Sequence, residues 1–267
     1  MIPKRIVQIW NDERMEDMIP GLQAAVQTWR TLNPDYEHVY YSMRAARQFI
    51  ADNYDAEVLE AFDTLVPGSY KADLFRYCEL YKNGGFYVDI KCNCRVPLDE
   101  IMQEKPTATM LLTLDAPASN YPLLTGFFGM IPGKPFLWNA IQRCVRNVQA
   151  RYYGNSRLDP TGPGLFGRSL RESLGYSPTT ANCLGLYNRI ADAIWCKFNV
   201  YQHGWEIVSN TGLVLVDNNT PGYSSLVAPT HYSRLWAQRA IYTDSQPMQK
   251  SPNNRLGPFL PRALRSR

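Results

Sequence analysis

The sequence predicts an α/β fold, a mixed and mainly parallel sheet flanked by helices, and three observations carry that prediction. Short apolar runs alternate with segments of helical period from Lys4 to Ile90, the pattern of strands joined by crossover helices. One of those helical segments stops at Gly84-Gly85 and passes at once into an apolar run, a helix end followed by a strand. The 267 residues, 45% hydrophobic and only 19% charged, suffice for a large core and exclude a disordered chain. Residues 1–245 are expected to form a single domain and residues 246–267, rich in Pro and Arg, a loosely ordered tail.

Taken in order, Lys4 to Trp10 (KRIVQIW) reads as a buried first strand. Pro20 opens a helix to about Leu32, with Leu22, Ala25, Val26 and Trp29 on one face. Asn33-Pro34-Asp35 is a turn, and Glu37 to Tyr41 a second strand. Ser42 is placed to cap a helix to about Asn53, and a further helix spans Asp55 to Leu65. Leu74, Tyr77, Cys78 and Tyr81 mark an amphipathic helix that ends at Gly84, and Phe86 to Ile90 is the strand after it. Later strands are expected at Thr109 to Leu114, Gly126 to Ile131 and Gly212 to Val216, with a helix from Pro135 to about Ala150. Gly154 to Gly167, which contains TGPG, and Pro221 to Pro229 read as loops.

Several function classes are excluded or disfavoured at this level. No stretch approaches the roughly 18 to 20 apolar residues of a membrane span, and the start lacks a signal-peptide pattern. A net charge of +4 is too mild to argue for a nucleic-acid partner. The six cysteines form no CxxC pair, so neither a zinc knuckle nor a redox motif is indicated, and reduced thiols in a cytosolic compartment are expected.

The chemistry concentrates between Pro67 and Leu98. Asp89 falls at the end of a buried strand, where a carboxylate is costly unless it is paired or ligating, and where open α/β sheets bind their ligands. Asp73 and Arg76 stand three apart on the preceding helix. By pattern alone they are either an ordinary i,i+3 ion pair or a carboxylate and a guanidinium that grip hydroxyl groups beside Asp89.

The segments IPKRIVQIW, NPDYEHVYY, KADLFRYCELYKNGGFYVDIKC, TGPG and HYSRLW, in that order, resemble the glycosyltransferases with a DXD-type sugar-binding region. That group includes fungal initiating mannosyltransferases, capsular-polysaccharide transferases and, more distantly, clostridial toxin glucosyltransferases. The resemblance is strong from Ile2 to about Leu98, patchier from Pro122 to Trp236 and absent from the tail. Its most specific string is ADxxRYxxLYxxGGxYxD, from Ala72 to Asp89. It implies one GT-A-type domain that binds a UDP- or GDP-sugar and transfers the sugar, with retention of configuration, to a glycan or glycoprotein. It further implies that Trp10 stacks on the base in a pocket lined by Gln8 and Ile9. Asp73 and Arg76 then hold donor-sugar hydroxyls, and Tyr87 walls the site. Asp89 matches the first acid of the DXD, which contacts ribose and a divalent cation, Mn²⁺ or Mg²⁺. His231, Ser233 and Trp236 match a late segment that closes over the diphosphate, His231 joining Asp89 at the metal.

The chain departs from the pattern at Asp89-Ile90-Lys91, where Lys91 replaces the second acid, and at Val7, where relatives often carry His. In a strand, residues 89 and 91 face one side. Either a metal is retained by Asp89, the diphosphate and His231 while Lys91 turns to the phosphates, or the Lys91 ammonium replaces the metal; the first is preferred. Two rival classes are a binding module that lost catalysis with the incomplete DXD, and a metal-dependent D-x-K nuclease with Asp73 as its second acid. The absence of an anchor leads to the expectation of a cytoplasmic enzyme in a bacterium or a virus-infected cell.

Overall fold

The computed structural model describes residues 1–114, 123–176, 190–201, 204–228 and 231–243. Cys183 and the expected tail, residues 246–267, lie outside the described residues.

The N-terminal elements fall where the periodicity put them: β1 (Arg5–Trp10), α1 (Pro20–Leu32), β2 (Glu37–Ser42), α2 (Met43–Asn53), α3 (Ala56–Thr64), α4 (Gly68–Asn83) and β3 (Gly85–Val88). Strand β1 pairs in parallel with β2 on one side and β3 on the other. The side-chain oxygen of Ser42 accepts from the Ala45 amide at 3.1 Å and so caps α2. After β3 come β4 (Asn93–Cys94), α5 (Leu98–Gln103), β5 (Met110–Leu114), β6 (Phe127–Met130) and α6 (Pro135–Gln149). The remaining elements are α7 (Pro163–Ser173), β7 (Ala193–Tyr201), β8 (Gly204–Val208), β9 (Val214–Asp217), α8 (Tyr223–Val227) and α9 (Tyr232–Ala237).

The α/β class and the mixed sheet are as expected. The described strands form a nine-stranded sheet in the order β2-β1-β3-β6-β5-β7-β8-β9-β4. It is not mainly parallel: three pairings are parallel and five antiparallel. Only the β2-β1-β3 end and the β5/β7 pair keep the crossover arrangement. The rest is built from adjacent strands that need no crossover helix.

Residues of successive parity pack on opposite faces. Val7, Ile9 and Tyr87 join a core with α2, α3, α4, α6 and α7, whereas Ile6, Phe86 and Val88 join Trp29 of α1 on the other face. Helix α4 corrects the amphipathic reading. Its buried residues run unbroken from Ala72 to Leu80 and include Asp73, Arg76 and Glu79, because other elements surround it on more than one side. A helix buried all round presents no solvent stripe, so its charged residues must find partners inside.

At the junction after α4, Gly84 and Gly85 take φ of 66° and 108°, a region open to glycine at little cost. A Cβ on Gly85 would stand 2.8 Å from the Arg5 carbonyl oxygen, so the close approach of β3 to β1 also requires glycine. Two segments read as loops from the sequence carry helical structure. TGPG leads into α7, with Gly162 at the cap and Pro163 at the first turn; residues 223–227 form α8. Cys78, Cys92, Cys94, Cys144 and Cys196 are buried free thiols.

Candidate active site at the end of strand β3

Strand β3 stops at Val88, and Asp89 begins a turn closed by the Cys92 amide donating to the Asp89 carbonyl at 2.9 Å. The Asp89 amide donates to the Gly126 carbonyl at 2.8 Å, which carries the backbone register one residue beyond the strand. Its side chain, 23% exposed, meets Arg76 Nη1 at 3.2 Å through Oδ1 and Lys91 Nζ at 3.1 Å through Oδ2. The Tyr87 hydroxyl donates to Oδ1 at 3.2 Å. A Cβ on Gly126 would stand 3.1 Å from Asp89 Oδ2, so a glycine there leaves the carboxylate its room.

Behind Asp89, Arg76 and Asp73 form an inner pair. Arg76 Nη2 lies 3.4 Å from Asp73 Oδ1, and its Nη1 donates to the Thr125 carbonyl at 2.5 Å. The guanidinium lies over the Tyr87 ring, 4.1 Å from the centroid, a cation–π contact out of water. Asp73 accepts from the Thr161 hydroxyl at 2.7 Å and from the Thr125 hydroxyl at 3.4 Å. The i,i+3 ion pair and the approach to Asp89 are therefore both present.

The electrostatics follow from these partners. Burial alone would raise the Asp89 carboxyl, but Lys91 and Arg76 outweigh it and hold the group below the usual carboxylate range. Burial would pull the Lys91 ammonium down, but Asp89 and then Tyr223 raise it, so it stays charged. Burial pushes the Tyr87 phenol well up, so it keeps the proton it donates to Asp89. Asp73 is raised by burial, against the opposing pull of Arg76 and Thr161.

Lys91 lies on the same side as Asp89, by a turn rather than by strand alternation, and pairs with its carboxylate. Tyr223 of α8 covers it, with Lys91 Nζ 5.1 Å from the ring centroid. The same ring packs against Trp10 at 5.8 Å, and Ile90 packs beneath with Met18, Leu22 and Val26. The Thr220 hydroxyl donates to the Lys91 carbonyl at 2.6 Å. Tyr223 and Thr220 were not legible beforehand, since nothing in their local sequence distinguishes them. Thr161 belongs to TGPG, but spacing does not reveal that its hydroxyl donates to Asp73.

The remaining expected residues are less closely gathered. Trp10 stands at the end of β1, half-buried beside Tyr223. Gln8 and Ile9 face opposite sides of the sheet. Ile9 lies in the α4-side core, while Gln8, fully buried, meets His38 Nε2 at 2.8 Å through Oε1. His231 caps α9, its Nδ1 accepting from the Ser233 amide at 3.3 Å. Burial lowers its pKa, and the charges of Lys91 and Arg157 lower it further. Trp236 donates its indole N–H to the Tyr153 carbonyl at 2.7 Å and packs on the core.

The donor set does not suit a resident divalent cation. Such an ion seeks several oxygen ligands, yet both Asp89 oxygens already meet cations and the Nδ1 of His231 is engaged. Among the described residues no group of three or more His, Cys, Asp or Glu side chains converges. In the preferred arrangement, with Mn²⁺ or Mg²⁺ held by Asp89, the diphosphate and His231, the chain itself would supply two ligands, so the ion would come with the donor rather than reside in the protein.

A family model described as a glycosyltransferase sugar-binding region containing a DXD motif matches residues 20–108. The chain is similar to inositol phosphoceramide mannosyltransferase 2 of Schizosaccharomyces pombe, 37% identical over 102 residues, 38% of this chain and 28% of that protein. It is also similar to the initiation-specific alpha-1,6-mannosyltransferase of Candida albicans, 30% identical over 196 residues, 61% of this chain and 51% of that protein. Among solved structures it is similar to the PaToxG glycosyltransferase, at a TM-score of 0.46 and 14% identity over 65% of this chain and 70% of that one. The chain thus spans between 28% and 51% of the length of these two fungal relatives.

These relatives overturn the expectation of a cytoplasmic bacterial or viral enzyme. They are fungal, and the first is named an inositol phosphoceramide mannosyltransferase. No helix among the described residues is long and apolar enough to cross a membrane. Asp73, Arg76, Tyr87, Asp89 and Lys91 of the buried cluster all fall within residues 20–108, the stretch that is similar to the glycosyltransferase sugar-binding region.

Proposed function

We propose that this chain is a glycosyltransferase that moves a sugar from a nucleoside-diphosphate donor to a hydroxyl of a glycan-type acceptor. The observation that supports it best is the Asp73–Arg76–Tyr87–Asp89–Lys91 cluster at the carboxyl end of β3, within the matched sugar-binding region. The names of the relatives favour mannose as the sugar. An acceptor with an inositol or sugar headgroup is the corresponding choice.

In this reading the donor lies over the end of β3 with its base against Trp10 and its diphosphate toward Lys91. Asp73 and Arg76, with side chains 9% and 5% exposed, offer only narrow edges and meet the sugar hydroxyls from the floor of the site. Asp89, more open, takes the ribose side. Ser233, His231 and Trp236 border the site from α9. During transfer the bond from C1 to the β-phosphate oxygen breaks and its electron pair stays on the diphosphate. The acceptor oxygen bonds to C1 on the face of the departing group, which gives retention, and its proton passes to the diphosphate. Fixed positive charge near that oxygen lowers the barrier, because negative charge develops there in the transition state.

The test is transfer of radiolabelled sugar from GDP-mannose and from UDP-sugars to a free inositol or mannoside acceptor. Transfer or donor hydrolysis that depends on Asp89 supports the proposal. Nucleotide binding with neither reaction would identify a binding module that has lost catalysis.

A further inference from the structure

We propose that Lys91 takes the place of a divalent cation, so that this chain binds a nucleoside diphosphate through a fixed ammonium and needs no metal to do so. The inference rests on the donor-site reading above and assigns to that site its means of neutralising phosphate charge.

The first support is charge balance. A second acid with a divalent cation on it presents one net positive charge, the amount that Lys91 presents alone. The replacement therefore leaves the field at the diphosphate unchanged in sign and formal magnitude, whereas adding a divalent ion beside Lys91 and Arg76 would place three cationic centres around Asp89.

The second support is placement. An ammonium on a free side chain pays an ordering cost when it binds phosphate; this one is already ordered. Its Nζ rests 3.1 Å from Asp89 Oδ2, its backbone carbonyl accepts from Thr220, and the Tyr223 ring covers it. Thr220 and Tyr223 are positioning residues in this arrangement. With the Lys91 side chain 21% exposed, the ammonium can meet a ligand while much of it is shielded from water, where charge interactions are stronger than in bulk solvent. Lys is also a practised phosphate binder as a point charge.

Calorimetric titration of the full chain with GDP and with UDP, each in EDTA and in Mn²⁺, tests this, with Lys91→Met, Lys91→Arg and Lys91→Asp run alongside. The wild-type chain is expected to bind one nucleotide with affinities that agree within about twofold in the two buffers. Lys91→Met should weaken binding at least tenfold in both, about 1.4 kcal/mol. Lys91→Arg should retain most of the affinity, and Lys91→Asp should bind only with Mn²⁺. Thermal melts by circular dichroism show that each variant is folded, and Lys91→Arg keeps the comparison meaningful if Lys91→Met is not. A wild-type affinity tenfold weaker in EDTA, or a folded Lys91→Met that binds normally, overturns the inference while leaving the donor site standing. Failure of the wild-type chain to bind either nucleotide in either buffer removes the donor-site reading itself, and this inference with it.

Discussion

Asp89 and His38 are both ionisable and shielded from water, and their surroundings lower both pKa values, which keeps Asp89 charged and His38 neutral. Two cations and a phenol stabilise the Asp89 carboxylate. Replacing it with Asn removes the charge while keeping its shape, and Asp73 still pairs with Arg76. Asp89→Asn is expected to reduce sugar transfer by a factor of at least ~100, the scale of a lost transition-state electrostatic contact. The folded state should survive, as a melting curve would show. His38 has no such support. Its Nε2 meets Gln8, while its Nδ1 and the Gln8 amide nitrogen are buried without a partner. Burial, helped by Arg30, pushes its pKa down to about 4. Between that value and the ordinary value near ~6.5, the unfolded chain binds more protons than the folded one. Stability is therefore lost as pH falls through that window, by about 2 kcal/mol after discounting for partial exposure. Urea midpoints at pH 7 and pH 4.5 should separate further for the wild-type chain than for His38→Asn.

The caps and junctions of the elements show what was legible in the sequence and what was not. Ser42 was readable as a cap because its side chain acts on the next turn of its own helix, and Ser42→Ala should cost about 1 kcal/mol in urea unfolding. The double glycine after α4 was readable for the same local reason. Gly85→Ala should cost about 2 kcal/mol or more, since it combines a φ of 108° with a Cβ pressed on the Arg5 carbonyl. Strands β7 and β8 escaped notice because the outer half of β7 is largely exposed and lacks a buried-strand pattern. Helix α7 was hidden by its own cap, Gly and Pro being read as loop residues although Pro at a first turn is a helix start. The candidate site divides in the same way. Asp73, Arg76, Tyr87 and Asp89 lie in one short string, but Thr161, Thr220 and Tyr223 reach the cluster from distant segments, and no local pattern marks them. Strand alternation puts Lys91 on the same side as Asp89, but the chain has left the strand by then, and a turn brings the two into contact.

At the scale of the molecule, the sheet order puts β4 and β9 at the far end from β1 and β2, yet β4 follows Lys91 by only two positions. The chain therefore leaves the site turn, passes Trp29, whose indole N–H donates to the Cys92 carbonyl at 2.7 Å, and closes against β9. Asp217, at the end of β9, secures this return. It accepts from Asn93 at 2.7 Å and from the Asn219 amide at 3.1 Å, and it pairs with Arg95. The loop that follows carries Thr220 and Tyr223 over Lys91, and Gly21 of α1 lies so close that a Cβ there would meet the Pro221 carbonyl at 2.3 Å. Anchoring at Asp217 thus fixes the cover of the site through contacts that bridge residues 129 apart. Asp217→Ala should destabilise the fold by about 1–3 kcal/mol, the cost of stripping a largely buried acceptor from its donors. It should also weaken nucleotide binding several-fold, because the loop that orders Lys91 loses its root. A titration in which affinity is unchanged while the urea midpoint falls would show that Tyr223 and Thr220 hold Lys91 without help from the sheet edge.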